Sequence, residues 1–303
     1  MKARKEGFDV YQMVTDIIIK RIEEGTPPWR MASMRVSFDE GVHFNRPVNF
    51  ATRKPYEGVN MFILGCSPYE VPLFVTFKQA LNLGGTVRKG AKSLPVIYWQ
   101  KSKYETTTND GEVKEKERFL LRYYSVFNVE DISLDYSQYI VGKTDPESDS
   151  KKIESCERII HSYADRPKRV FRDRTRMFYR KSEDIINMPP LKHFEDPREF
   201  YCIYFHEMVH STSHPRRLNR EGVGNSFFGS ASYSREELTA ELGASYLAGI
   251  AGISTPDLTT NSAAYIKHWL EVLRNDKKFI FEASRLATKA VKYILGEAQE
   301  EDQ

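Results

Sequence analysis

The sequence predicts an α+β protein of two domains, on three observations. Its 303 residues suffice for two independent cores. The first half reads as short, turn-punctuated apolar pieces, whereas the second half reads as long helical patterns. Between them QYIVGKTDPESDSK (138–151) turns polar and rich in Asp, Ser, Gly and Pro. The expected boundaries are an N-terminal mixed α/β domain over 1–137, a linker over 138–151, and a mostly helical domain over 152–303.

The elements follow in order. Residues 8–24 place Phe8, Tyr11, Val14, Ile18 and Ile22 on one helical stripe, which GTPPW (25–29) stops. The apolar run VPLFVTF follows a turn-rich stretch, and LNLGGTVRKG reads as a glycine-capped helix end. LPVIYWQ (94–100) and RFLLRYYSVF (118–127) read as strands, joined by a charged loop in which Asp110-Gly111 marks a hairpin. KIESCERIIHSYA reads as a helix, with short β pieces at 169–171 and 177–180. Helices are then expected at 197–213, 234–250 and roughly 258–296.

Composition excludes several classes. Charged residues form 29% and the hydrophobic set 40%, which fits a folded soluble chain and not a disordered one. No apolar run is long enough for a membrane span. The N-terminus lacks the pattern of a secretory signal. Cys66, Cys156 and Cys202 lack paired spacing, fitting a reducing cytoplasm without disulfides or a thiolate metal site. Residues 1–104 hold 16 Lys+Arg against 9 Asp+Glu, so the basic excess sits in the first third and favours an anionic partner there.

The stretch FHEMVHSTSHPRR (205–217) carries the chemistry. His206 and His210 are four apart, so on a helix both imidazoles reach one ion. Glu207 lies between them, placed to take a proton from metal-bound water. His214 is two helical turns from His206, about 12 Å, and precedes Pro215, which disfavours helix at that residue. The spacing that would recruit a third histidine needs Gly at 213 and His at 216, where the chain has Ser213 and Arg216. A carboxylate from SREELTAE (234–241) is the remaining solution. Glu237 is favoured, with Glu236 and Glu241 as alternatives, and one carboxylate there can instead orient a ligand histidine. Against this, Ser234-x-x-Glu237 is also a capping box, in which Glu237 serves only the backbone. Tyr233 and His268 are candidates to stabilise a developing oxyanion.

FHEMVHSTSHPRRLNR followed by SYSREELTAELGASYLAG resembles the zincin-like metallopeptidase domain of ArdC/TraC-type antirestriction proteins, and its ELTAE piece resembles the glutamate helix of gluzincins. The resemblance implies one zinc ion per chain held by His206, His210 and Glu237, with Glu207 as catalytic base and Glu241 behind the ligands. It also implies a gluzincin-like fold for the second domain.

The first domain has no catalytic constellation but interleaves aromatic and basic residues, a combination suited to single-stranded nucleic acid. Its candidate DNA contacts are Trp29, Arg30, Arg46, Arg53, Lys54, Tyr56, Asn60, Lys78, Arg88, Lys89 and Lys92. GTPPWR, RPVNFATRKPYEGVNMFIL, LFVTFKQALNLGGTVRKGAKSLPVIYW and YYSVFNVED resemble, in this order, the ArdC N-terminal single-stranded DNA-binding domain. The whole resemblance spans residues 8–296. It implies a cytoplasmic antirestriction protein of a mobile element, active in conjugation, that binds single-stranded DNA and protects incoming DNA. The competing readings are a zinc peptidase with a protein substrate, using DNA for localisation, and a DNA-binding protein whose zinc is only structural.

Overall fold

Helix α1 (Val10–Glu23) starts where the Asp9 carboxylate accepts the Gln12 amide at 3.2 Å, satisfying one of the donors that a helix start leaves open. Of the expected stripe, Val14, Ile18 and Ile22 are buried, with Thr15 beside them; Tyr11 is half-buried and Phe8 lies outside the described residues. The computed structural model describes residues 9–24, 34–39, 42–44, 46–107, 113–143, 149–173, 176–220, 231–253 and 263–297.

Two sheets build the first half. Strands β1 (Met34–Asp39), β2 (Val42–Phe44) and β7 (Ile140–Lys143) form an antiparallel sheet in the order β2-β1-β7. The stretch expected as a linker therefore contains a strand, and its end enters helix α4 (Asp149–Ser162). The second sheet has the order β3-β4-β6-β5, from β3 (Val48–Asn49), β4 (Leu73–Thr76), β5 (Leu94–Thr107) and β6 (Val113–Asn128). The β5–β6 ladder runs unbroken from Leu94↔Val126 to Thr107↔Val113, well into the segment expected as a charged loop. Cross-strand charges explain the extension: Lys101 meets Glu117 at 2.9 Å and Lys103 meets Glu115 at 3.2 Å. Asp110 and Gly111 lie outside the described residues. Short helices α2 (Val59–Gly65) and α3 (Phe77–Asn82) flank this sheet. Asn60 clips α2 to β5, its amide donating to the Ile97 carbonyl and accepting the Ile97 N–H, both at 2.8 Å.

The second half carries a small sheet, β8 (Lys168–Val170), β10 (Ile185–Asn187) and β9 (Phe178–Arg180), with β10 central, parallel to β8 and antiparallel to β9. Helices α5 (Pro197–Ser211), α6 (Ala231–Ala251), α7 (Ala263–Asn275) and α8 (Phe279–Leu295) complete it. One helix was expected across 258–296, but two are found. The Asp276 side chain accepts the Lys278 N–H at 2.9 Å, a local bond that competes with the helical ladder and turns the chain.

The first half has two small clusters of its own, around Val48, Leu73 and Val75 and around Leu64, Phe74 and Val126, but the largest core is shared between the halves. Val14, Ile18 and Phe62 belong to the same buried cluster as Tyr163, Phe205, Leu247 and Ile280. Thr15 Oγ1 donates to the Lys277 carbonyl at 2.9 Å, tying α1 to the α7–α8 turn. No helix among the described residues is long and apolar enough to cross a membrane.

Candidate metal centre

Helix α5 has strong start signals. The Asp196 side chain accepts the Arg198 N–H, Pro197 occupies the first turn, and Glu199 follows. Phe200, Tyr204, Phe205, Met208 and Val209 bury it in the core, and this holds His206 and His210 in place one turn apart. Their Nε2 atoms lie 3.0 Å apart with the rings at 80°.

Glu237 comes from α6. Its Oε2 is 3.7 Å from His206 Nε2 and its Oε1 3.6 Å from His210 Nε2. The close approach of α6 to α5 depends on Gly243, where a Cβ would sit 2.7 Å from Val209 Cγ2. The helix begins at Ala231, so Ser234 lies inside it and not at its N-cap. The capping-box alternative for Glu237 therefore does not arise. Two imidazole nitrogens and a carboxylate are the borderline-soft donor set that suits zinc and its first-row neighbours. Bonds of 2.0–2.2 Å in a tetrahedral arrangement need ligand atoms about 3.4 Å apart, close to the three separations found. The residues fit a metal ion.

Behind the ligands lies a layer in which the sequence foresaw a histidine-orienting carboxylate but not that Glu236 would supply it, nor Arg220 beside it. His210 Nδ1 is 3.3 Å from Glu236 Oε1, which turns the lone pair of Nε2 toward Glu237. Arg220 holds the same carboxylate from the other side, Nη2 to Oε1 at 2.7 Å and Nε to Oε2 at 3.1 Å. Arg220 also donates to Thr212 Oγ1 and to the Val209 carbonyl. Glu236 and Arg220 are 3% and 7% exposed, so this ion pair is inside the protein. Glu241, expected behind the ligands, lies one turn beyond Glu237 and is half-buried.

The electrostatics favour a cation. Burial pushes the His210 imidazole down, but Glu236 and the carboxylates of Glu207 and Glu237 outweigh it and raise it to about 9. His206 moves the other way, lowered by burial and by charge on His210. Burial raises the Glu236 carboxyl, yet His210 and Arg220 hold it below its ordinary value.

Glu207 is buried, and its Oε2 accepts the Tyr179 N–H from edge strand β9 at 2.6 Å. His214 stays out of the centre. It lies in the turn after α5, and its Nδ1 accepts the Arg216 N–H at 3.2 Å. His268 Nε2 is 3.3 Å from Ser234 Oγ; the Tyr233 side chain lies outside the described residues.

The expected DNA contacts divide. Trp29 and Arg30 lie outside the described residues. Three others are spent inside the fold: Arg46 donates to Tyr246 Oη at 2.8 Å, Tyr56 takes a hydrogen bond from Asn49, and Asn60 clips α2 to β5. Arg53, Lys54, Lys78, Arg88, Lys89 and Lys92 are exposed. Arg53 has a left-handed backbone (φ 59°), and its guanidinium lies over the Phe38 ring at 5.6 Å.

A helix-borne His-Glu-x-x-His facing a glutamate of the following helix defines a zincin-like metalloprotein, and the zincin-like metallopeptidase family model matches residues 157–286. Residues 8–127 match the N-terminal domain of anti-restriction factor ArdC. The crystal structure of antirestriction ArdC from the R388 plasmid, in its metal-free form, aligns with a TM-score of 0.73 at 30% identity, over 96% of this chain and 100% of that one. Its Mn(II)-bound form gives 0.70 at 30% identity, over 95% and 98%. The chain belongs to the ArdC antirestriction family. Protein y4eC of Sinorhizobium fredii is 30% identical over 97% of this chain and 93% of its own length. Two Escherichia coli proteins named DNA primase TraC are also 30% identical over 97% of this chain, which spans only 28% and 20% of their lengths.

Proposed function

We propose that this protein protects incoming DNA of a mobile element from restriction in the cytoplasm, binding single-stranded DNA and carrying one catalytic zinc ion. The convergence of His206, His210 and Glu237 from two packed helices is the observation that carries the metal part. The DNA part is supported by the match over 8–127 and by the basic excess of the first third.

Zinc bound here would supply Lewis acidity, lowering the pKa of a coordinated water toward about 7. Glu207 is the base. With Oε2 held by Tyr179, it takes the water proton as the oxygen adds to a peptide carbonyl, then gives that proton to the departing nitrogen as the carbon–nitrogen bond breaks. Glu236 and Arg220 keep His210 in the tautomer that presents Nε2.

The test is plasmid transfer into a restricting recipient, alongside oligonucleotide binding in vitro. Wild type is expected to protect and to bind single strands in preference to duplex. Equal binding of both, or none, overturns the DNA part. The buried, anchored Glu207 favours hydrolysis over a purely structural ion, so Glu207→Gln is expected to retain metal and DNA while losing protection. Full protection by that variant would show that hydrolysis is not how the protein works.

A further inference from the structure

A groove of about 1110 Å3 opens between the two family-matched halves. One wall is α8, the other β5 with the start of α2. On α8, Ile280, Ala283, Ala287, Val291 and Ile294 face the core. The opposite stripe, Lys278, Arg285, Lys289 and Lys292, lines the groove over about 21 Å of helix. A basic stripe alone is usually just a solvated face. This one confronts a second wall whose aromatic residues stand out of the core, with Trp99 55% and Tyr98 45% exposed. Tyr11 bridges the walls, its ring 4.7 Å from Phe281 and 6.4 Å from Trp99, with Lys278 Nζ 5.3 Å above it.

The charge has one sign in excess. Among the described residues two carboxylates line the groove, and both are drawn to cations: Glu282 to Arg235 at 2.9 Å and Glu57 to Lys292 at 3.1 Å. Four lining cations against two carboxylates, beside large exposed rings, suit a flexible polyanion with stacking faces. A peptide would use the cations but not the rings in this way, and duplex DNA cannot offer its base faces.

We propose that this groove is a path for single-stranded DNA, in which Trp99 stacks on a base while Lys278, Arg285 and Lys289 hold phosphates. The proposal rests on the single-strand reading above and deepens it. The strand would contact the zincin-like half as well as the N-terminal half, and Lys278, Arg285 and Lys289 were not among the expected DNA contacts.

The test uses the full-length, metal-loaded chain and a fluorescent oligo(dT). K278E/R285E/K289E is expected to bind at least tenfold more weakly. Its log K against log salt should flatten by about 2, at roughly 0.7 per phosphate lost. Trp99→Ala is expected to weaken binding about tenfold. Photo-crosslinking of an iodouracil-substituted strand to the wild-type chain needs no variant and should label Trp99 or Tyr98. If wild type binds no oligo(dT), the single-strand reading fails and the groove with it. If wild type binds but the groove variants match it in affinity and salt slope, or the crosslinks map elsewhere, the groove is overturned and the single-strand reading stands.

Discussion

His210 Nδ1 and Glu236 Oε1 lie 3.3 Å apart, and Arg220 grips the far side of the same carboxylate. The ring of this candidate ligand is thus oriented by an ion pair set behind it, on the side away from His206 and Glu237. Glu236→Gln should lower metal affinity about 10–100-fold, read by competition against a chelating dye, and should also cost stability, since the Arg220 guanidinium stays buried beside a neutral amide. Arg220→Met should act differently, because it strands a buried carboxylate. The expected loss is about 3 kcal/mol or more of stability, seen in denaturant unfolding.

Gly243 sets the spacing of the two ligand helices. Gly243→Ala would press a methyl group against Val209, whose branched side chain has little freedom to turn away. It is expected to cost about 1–3 kcal/mol and to weaken metal binding. Val209→Ala in the same chain should recover much of both losses, so the double variant would lie well above the sum of the singles.

Asp184 and Arg217 give the acid limb of stability. Arg217 grips both carboxylate oxygens at 2.8 Å, and Tyr179 Oη donates to one of them at 3.0 Å. Burial raises the Asp184 carboxyl, but these bonds outweigh it and hold it below its ordinary 3.8. Its contribution is therefore complete above about pH 4 and is lost as pH falls through the lowered folded value. Asp184→Asn keeps the left-handed backbone accessible (φ 50°) and should cost about 2 kcal/mol at pH 7. Its stability should also fall less steeply on acidification than that of wild type.

Removing the metal should leave the fold standing. Met208, Val209, Leu238, Ala240 and Leu242 pack α5 against α6 in the main core beside the ligands, so the helices do not depend on an ion for contact. Chelation is expected to preserve helical circular dichroism and a cooperative melt. The midpoint should drop, then climb with the logarithm of added zinc. Loss of the α5–α6 helical signal on chelation would instead make the ion a staple.

How much of this was written in the sequence depends on range. His206 and His210 are legible because four residues on a helix is a local relation. Glu237 is favoured by the sequence but not singled out by it, since three neighbouring glutamates compete and only packing decides which faces the histidines. Arg220 has no local signal. It reaches Glu236 because Asn219 adopts a left-handed turn (φ 47°) after α5. The long β5–β6 ladder was hidden by polarity, and the pairs that support it, Lys101 with Glu117 and Lys103 with Glu115, lie diagonally across strands that only the register brings together. The shared core was hidden by distance, since nothing in residues 10–23 announces a partner more than 200 residues away.

That shared core has a consequence for how the chain is made. Thr15 and its partner Lys277 are 262 positions apart. At about 5–20 residues per second, α1 leaves the ribosome about 13–50 s before the helices that cover it. Its apolar stripe must wait in water or on a chaperone until α7 and α8 have been made. Premature termination anywhere before α8 would then yield sticky fragments, not a working half-protein.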